Sequence, residues 1–293
     1  MEKNKIMKSL TERANSFETD KGTQANAAHG YSLVYDLLFA PMRCHSRVDI
    51  LEMGLAIGGP ELGGDVDRQV LGAPSIDTWL EYFDNAYIVG FDISDFSAIQ
   101  HERFEFVRGD SGKREDVEKI KALNREFDII LDDASHASYH QQLGLAVLFD
   151  QLRPGGLYIL EDLSWQPQAM ESELPTVPKT ARILAEFAAK GRIPRTAAIP
   201  NECALRLEKE ISAVFFFDES MLNAVGDRFN ERCGNPGITR AGWRGMAAAR
   251  RLLSPYFWLH QARRFAQSLY GMDFVSHQSV KMLVIQKALE VRK

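Results

Sequence analysis

Leu131-Asp132-Asp133-Ala134-Ser135-His136 and Leu157-Tyr158-Ile159-Leu160-Glu161-Asp162 decide the fold. Each closes a short apolar run that reads as a buried parallel strand, and each run stops in acids. Two neighbouring parallel strands ending this way bring their carboxylates together at the C-terminal edge of the sheet, where open α/β sheets bind ligands. Acids gathered there beside a histidine suit a hard divalent cation and a base better than a packed core.

Working outward, apolar runs at 48–53, 87–93, 104–107, 127–131 and 156–160 alternate with helical or glycine-rich stretches. That alternation indicates an α/β fold, a doubly wound Rossmann-like sheet with helices on both faces. Leu143, Leu145, Ala146, Leu148 and Phe149 give the helix after the fourth run its apolar face. Arg153-Pro154-Gly155-Gly156 is expected to stop that helix and start the fifth strand. Residues 1–46 read as a helical segment and 47–165 as the core. Residues 166–210 form an insertion of the kind that serves as a lid. The last two strands, 211–217 and 280–286, fall within 211–293 and flank a helical excursion.

The chain has 293 residues, enough for one large domain with a full core. A formal net charge of −5 argues against nucleic acid as a partner. Cys44, Cys203 and Cys233 are too scattered for a zinc motif or a disulfide framework, so a reducing cytoplasm is expected. No apolar run approaches the roughly 20 residues of a membrane span, and the polar N-terminus does not read as a secretion signal. Between 232 and 272 stand Arg232, Arg240, Arg244, Arg250, Arg251, Arg263 and Arg264 with no acid, interleaved with Trp243, Tyr256, Phe257, Trp258 and Phe265. That stretch is either a solvated helical excursion or a contact for an anionic substrate, a lipid headgroup or a partner chain.

Three further positions carry chemistry. Gly54 follows the first strand in Glu52-Met53-Gly54-Leu55, where a glycine lets a ligand approach the backbone. The spacing is not Gly-x-Gly-x-x-Gly, which counts against a nicotinamide enzyme. Asp92 ends the second strand, where an acid can bind ribose hydroxyls. Asp110 follows the third, where it can face an adenine amino group. Each acid alone could be a cap or a surface carboxylate, but all three positions fall at matching strand ends. Asp132 or Asp133 could equally cap the helix that follows. His136 could merely satisfy a backbone group, and His140 reads as a helix-face residue.

In these residues the chain resembles the class I S-adenosylmethionine-dependent methyltransferases. It resembles more closely the metal-dependent sugar O-methyltransferases of macrolide biosynthesis, the mycinamicin and tylosin type. The likeness rests on Thr19-Asp20-Lys21-Gly22-Thr23 with His29, Tyr31 and Tyr35, and on a loop carrying Gly58-Gly59, Gly72, Ser75, Trp79 and Tyr82-Phe83. It extends through Asp132-Asp133-Ala134-Ser135-His136 and Glu161-Asp162, covering roughly residues 17 to 165. Ala134 stands where that motif usually has glycine, and the residues after Trp165 and the arginine-rich stretch do not follow the family pattern.

The resemblance implies S-adenosylmethionine bound by Thr23, Tyr31, Glu52, Gly54, Ser75, Asp92, Asp110 and Asp132. It implies Mg²⁺ on Asp133, Glu161 and Asp162, with His136 and Asp133 as the catalytic residues and His136 the base. Residues 1–46 would close over the cofactor, and the chain would form a homo-oligomer. The expected activity is O-methylation of a hydroxyl on a sugar or glycosylated small molecule, in natural-product or surface-glycan biosynthesis. A sugar hydroxyl holds its proton at neutral pH, and Mg²⁺ on vicinal hydroxyls would lower their pKa. Two alternatives stay open. One is a methyltransferase-fold protein with another activity, of the cephalosporin hydroxylase type. The other is a nucleotide- or partner-binding module without chemistry.

Overall fold

The computed structural model describes residues 8–25, 28–233 and 279–289. Arg232 is described; the rest of the arginine-rich stretch lies outside the described residues. Among the described residues seven strands form one sheet: β1 Val48–Met53, β2 Ala86–Asp92, β3 Phe104–Arg108, β4 Phe127–Asp132, β5 Leu152–Leu160, β6 Ile211–Asp218 and β7 Val280–Lys287. Their order is β3-β2-β1-β4-β5-β7-β6. Strands β1 to β5 are parallel, as the sequence predicts. β7 inserts antiparallel between β5 and β6, so the sheet is mixed. β1 pairs with β2 on one side and β4 on the other. The winding reverses there, and the crevice opens above that point.

Side chains alternate across each strand, and the two faces gather different helices. Leu51, Met53, Val89, Phe91, Ile130, Tyr158 and Leu160 pack with α4 (Arg114–Ala122), α5 (Ser138–Leu148), α7 (Thr180–Lys190) and α8 (Asn201–Glu210). Ile50, Ile88, Ile129, Leu131, Leu157 and Ile159 pack on the opposite face, with α1 (Leu10–Ser16), α2 (Tyr31–Phe39) and α3 (Pro74–Tyr82). The same parity governs the acids just beyond the apolar runs. Glu52, Asp133 and Glu161 continue the α1–α3 face, and Asp132 continues the other.

Three expectations change. The described part of the segment 1–46 forms α1, opened by a Ser9–Glu12 capping box, then α2 and a 3₁₀ turn at Ala40–Cys44. Residues 17–30 between α1 and α2 are non-helical where described and carry Thr19 and Lys21 into the interior. Arg153-Pro154-Gly155-Gly156 does not precede the fifth strand but lies inside it. Pairing runs from Phe127↔Leu152 to Ile129↔Leu157, so the register shifts across the motif. Proline lacks an amide donor and Gly155 adopts φ +80°, which turns the motif into a bulge. α5 has already ended at Leu148. The 166–210 insertion is also only partly lid-like. Ile183, Leu184, Ala204 and Leu207 of α7 and α8 are buried in the core, which leaves the stretch around α6 (Gln168–Glu173) near the crevice.

Candidate active site

A cavity of about 1080 Å³ opens at the C-terminal ends of the parallel strands. Gly54, Ser75, Asp92, Asp110, Asp133, His136 and Asp162 all line it, together with Lys21, His29, His140, Trp165 and Lys281. Of the residues expected to bind the cofactor, Thr23, Tyr31, Glu52 and Asp132 do not line it.

Each of those four has a physical reason. The Thr23 hydroxyl donates to Asn230 Oδ1 at 2.7 Å and accepts from Asn15 Nδ2 at 3.0 Å, tying the N-terminal turn to α9 (Glu219–Arg232). Tyr31 donates its hydroxyl to Asp162 Oδ1 at 2.7 Å and so orients an acid of the site. Glu52 is fully buried and accepts from Ser75 Oγ at 3.0 Å and Trp79 Nε1 at 2.9 Å. Asp132 points to the α5 side against the Tyr158 hydroxyl, and burial pushes its carboxyl up to about 6.

The acid cluster forms where β4 and β5 end. Asp133 N donates to Met53 O at 2.9 Å, and Glu161 N to Asp132 O at 3.0 Å, which locks the three strand ends in register. Gly54 makes this approach possible. At φ +84°, a Cβ there would stand 2.2 Å from the Asp133 carbonyl oxygen. His136 (φ 60°) and Asp162 (φ 51°) both hold left-handed backbone conformations, a form of strain that gathers at functional sites.

Lys21 occupies the inner side of the cluster. Its Nζ lies 2.5 Å from Asp133 Oδ2, 2.9 Å from Glu161 Oε2 and 3.6 Å from Glu52 Oε1. Burial alone would lower the Lys21 pKa, but Asp133, Glu161 and Glu52 outweigh it and hold it well above the ordinary lysine value. The other Glu161 oxygen accepts from the Tyr35 hydroxyl at 2.5 Å. Burial still pushes Glu161 up to about 7, and burial with the Glu161 charge drives Asp133 well above its usual range. Asp162 goes the other way. Burial would raise it, but His29, His136 and Lys281 hold it below the usual carboxylate range.

The outer side of the cluster fits a divalent cation. Asp133, His136 and Asp162 each bring a ligand atom within 4.8 Å of the others. The buried His136 Nδ1 makes no hydrogen bond and lies 4.0 Å from Asp133 Oδ1. Burial lowers the His136 pKa, so the ring is neutral near pH 7. The oxygen donors of Asp133 and Asp162 suit a hard cation such as Mg²⁺ or Mn²⁺, with the neutral His136 ring standing beside them. Glu161, expected as a third ligand, has both oxygens engaged by Lys21 and Tyr35.

The cavity wall toward β2 and β3 carries two further acids. Asp92 Oδ2 accepts from Leu55 N at 2.8 Å and Oδ1 from Ser94 N at 2.7 Å, fixing the carboxylate at the cavity wall. Asp110 Oδ1 accepts from Gly112 N at 2.8 Å. His140, read from sequence as a helix-face residue, is buried, lines the cavity, and hydrogen-bonds Ser135 Oγ through Nδ1 at 2.6 Å.

Lys281 is not among the residues the sequence singles out; its only signal is a charge inside an apolar run. It stands in an apolar strand, and its Nζ meets His29 Nδ1 at 2.6 Å and Asp162 Oδ1 at 3.7 Å. An ammonium only donates, so His29 Nδ1 accepts and the ring proton rests on Nε2. That nitrogen faces Asp162 Oδ2 at 3.5 Å. His29 is thereby a donor toward Asp162, whereas the buried His136 Nδ1 beside the same acids has no hydrogen-bond partner.

No family model matches the chain. Among curated proteins it is similar to mycinamicin VI 2''-O-methyltransferase of Micromonospora griseorubida, 35% identical over 138 residues, which is 46% of this chain and 32% of that protein. Demethylmacrocin O-methyltransferase of Streptomyces fradiae is 36% identical over 138 residues, with the same shares of the two chains. The matched segment spans about a third of the length of these relatives. Among solved structures, the MycE methyltransferase of the mycinamycin pathway, in complex with Mg, SAH and mycinamycin VI, aligns with a TM-score of 0.55. The identity is 25%, covering 72% of this chain and 53% of that one. A second MycE structure, with Mg and SAH, gives a TM-score of 0.56 at 24% identity, covering 72% and 52%. The chain therefore has the Rossmann-like class I methyltransferase fold and is similar in sequence to macrolide sugar O-methyltransferases.

Proposed function

We propose that the chain transfers a methyl group from S-adenosylmethionine to a hydroxyl of a sugar or glycosylated small molecule, with a divalent cation held at the acid cluster. The observation that carries this reading is a single cavity lined at one end by Asp92 and Asp110 and at the other by Asp133, His136 and Asp162. Curated relatives named as sugar O-methyltransferases and a MycE structure containing Mg and SAH support it.

In this reading Asp92 accepts hydrogen bonds from the ribose hydroxyls, and Asp110 faces the adenine. Gly54 leaves room for the methionine portion beside the β1 end. Asp133 and Asp162 hold the cation, with Glu161 behind them. Bound Mg²⁺ would lower the pKa of acceptor hydroxyls and fix their geometry. His136 receives the departing hydroxyl proton at an imidazole nitrogen that burial keeps neutral. Tyr31, His29 and Lys281 keep Asp162 ionised and aimed. The apolar rim at Ile57, Leu62, Trp165, Met170 and Leu174 excludes water around the acceptor. Self-association, an anionic contact through 232–272 and a cytoplasmic location belong to the same reading and rest on sequence. Among the described residues no helix is long and apolar enough to cross a membrane.

The test is incubation with methyl-labelled S-adenosylmethionine and a panel of glycosylated macrolides, followed by mass spectrometry. Label should enter a sugar hydroxyl with Mg²⁺ present and not in excess chelator. A protein that binds no S-adenosylhomocysteine would end the proposal.

A further inference from the structure

Lys21 is built into the cluster rather than reaching in from the surface. It is 3% exposed, and its main chain is held on both sides. Ser32 N donates to Lys21 O at 2.8 Å, and Gly30 N to Gly22 O at 2.8 Å. These bonds hold the Lys21 backbone beside the cluster, at the turn that joins α1 to α2. Its three carboxylate neighbours come from three strand ends: Glu52 in β1, Asp133 after β4 and Glu161 after β5.

Asp133 is thus shared. Oδ2 faces the ammonium at 2.5 Å, while Oδ1 faces His136 and the cavity. Any cation bound through Asp133 and Asp162 would sit on the far side of the same carboxylate. Like charges placed so closely oppose each other, and the low-dielectric interior screens them poorly.

We propose that Lys21 is a resident competing cation, which neutralises the inner half of the acid cluster and holds down its affinity for a divalent ion. This rests on the metal reading above. Without the ammonium, Glu52, Asp133 and Glu161 would repel one another in a buried site. With it, the strand ends stay assembled before a metal arrives, and the ion binds weakly enough to exchange. The N-terminal turn would then set metal affinity without supplying a ligand.

The experiment is a Mn²⁺ titration followed by electron paramagnetic resonance on the wild type, Lys21→Met and Lys21→Arg. Folded Lys21→Met should bind Mn²⁺ at least about tenfold more tightly, as expected for removing one like charge across a shared carboxylate. Lys21→Arg should stay near the wild-type affinity. Its heat stability should show the contrast, with Lys21→Met less stable than wild type in chelator and recovering when Mn²⁺ is added. Unchanged or weaker binding by folded Lys21→Met would overturn the proposal, because a lysine that only props the fold predicts that result. A wild type that binds no Mn²⁺ would remove the metal reading itself. If Lys21→Met does not fold, the wild type answers through its ¹⁵N-lysine ammonium resonances. Mn²⁺ should broaden the resonance absent from Lys21→Arg, and an unbroadened signal would overturn the proposal.

Discussion

Gly54→Ala tests how the site is assembled. Gly54 has φ +84°, and an added Cβ would lie 2.2 Å from Asp133 O and 2.6 Å from Ala134 Cα. Both are backbone atoms, so no rotamer change relieves the clash. The left-handed conformation costs an L-residue about 1–2 kcal/mol. Forcing a methyl group into a packed site costs about 1–3 kcal/mol more. The sum, roughly 2–5 kcal/mol, is a large share of the 5–15 kcal/mol typical of a folded domain. Gly191→Ala is the internal control, since Gly191 has φ +68° and nothing lies within 4 Å of where the added methyl group would stand. It should lose only the conformational part, about 1–2 kcal/mol. Urea unfolding of both variants separates the two contributions. Gly54→Ala should also weaken Mn²⁺ binding, because the chain must move at Asp133. Equal losses in the two variants, with Mn²⁺ binding intact, would refute the close approach of β1 and β4 as the basis of the site.

Asp132→Asn should change the pH profile of stability. The folded Asp132 carboxyl is raised by burial to about 6. Its contribution is therefore present below the unfolded pKa near 4 and is lost as pH rises through about 6, amounting to about 3 kcal/mol by pH 8. In urea melts, wild type should lose more stability than Asp132→Asn between pH 5 and pH 8; parallel profiles would contradict the burial argument. His136→Ala should slow turnover by about 10²–10⁴-fold while Mn²⁺ still binds; loss of the ion would make His136 a ligand instead. Asp92→Ala should cost S-adenosylhomocysteine about tenfold or more in affinity by calorimetry, since it removes an ionised hydrogen-bond acceptor; wild-type affinity would take Asp92 out of the site.

The five parallel strands are legible because strands buried on both faces are near-continuous apolar runs. The direction of β7 is not, because an apolar run reads the same either way. The bulge in β5 escapes the sequence because proline and glycine punctuate chains without saying whether they end an element or interrupt it. Asp133 and Asp162 stand out by their positions after apolar runs. The separation of Asp132 from Asp133 is also available, since adjacent residues leave a strand on opposite faces. Tyr31 and Thr23 belong with the N-terminal turn, but their partners, Asp162 and Asn230, lie far along the chain. Lys281 is invisible for the same reason: a lysine in an apolar strand announces a buried partner without naming it. His29 is 252 residues away in sequence.

One divalent ion is expected to bind at Asp133 and Asp162 beside the methyl donor, for the acceptor rather than for the cofactor. The most direct test is Mn²⁺ binding measured together with S-adenosylhomocysteine affinity, on wild type, Asp133→Asn and Asp162→Asn. Wild type should take up one ion per chain and both variants should lose it, while all three bind S-adenosylhomocysteine with similar affinity even in excess chelator. Undiminished Mn²⁺ binding by both variants, or cofactor binding that vanishes with the metal, would contradict the account.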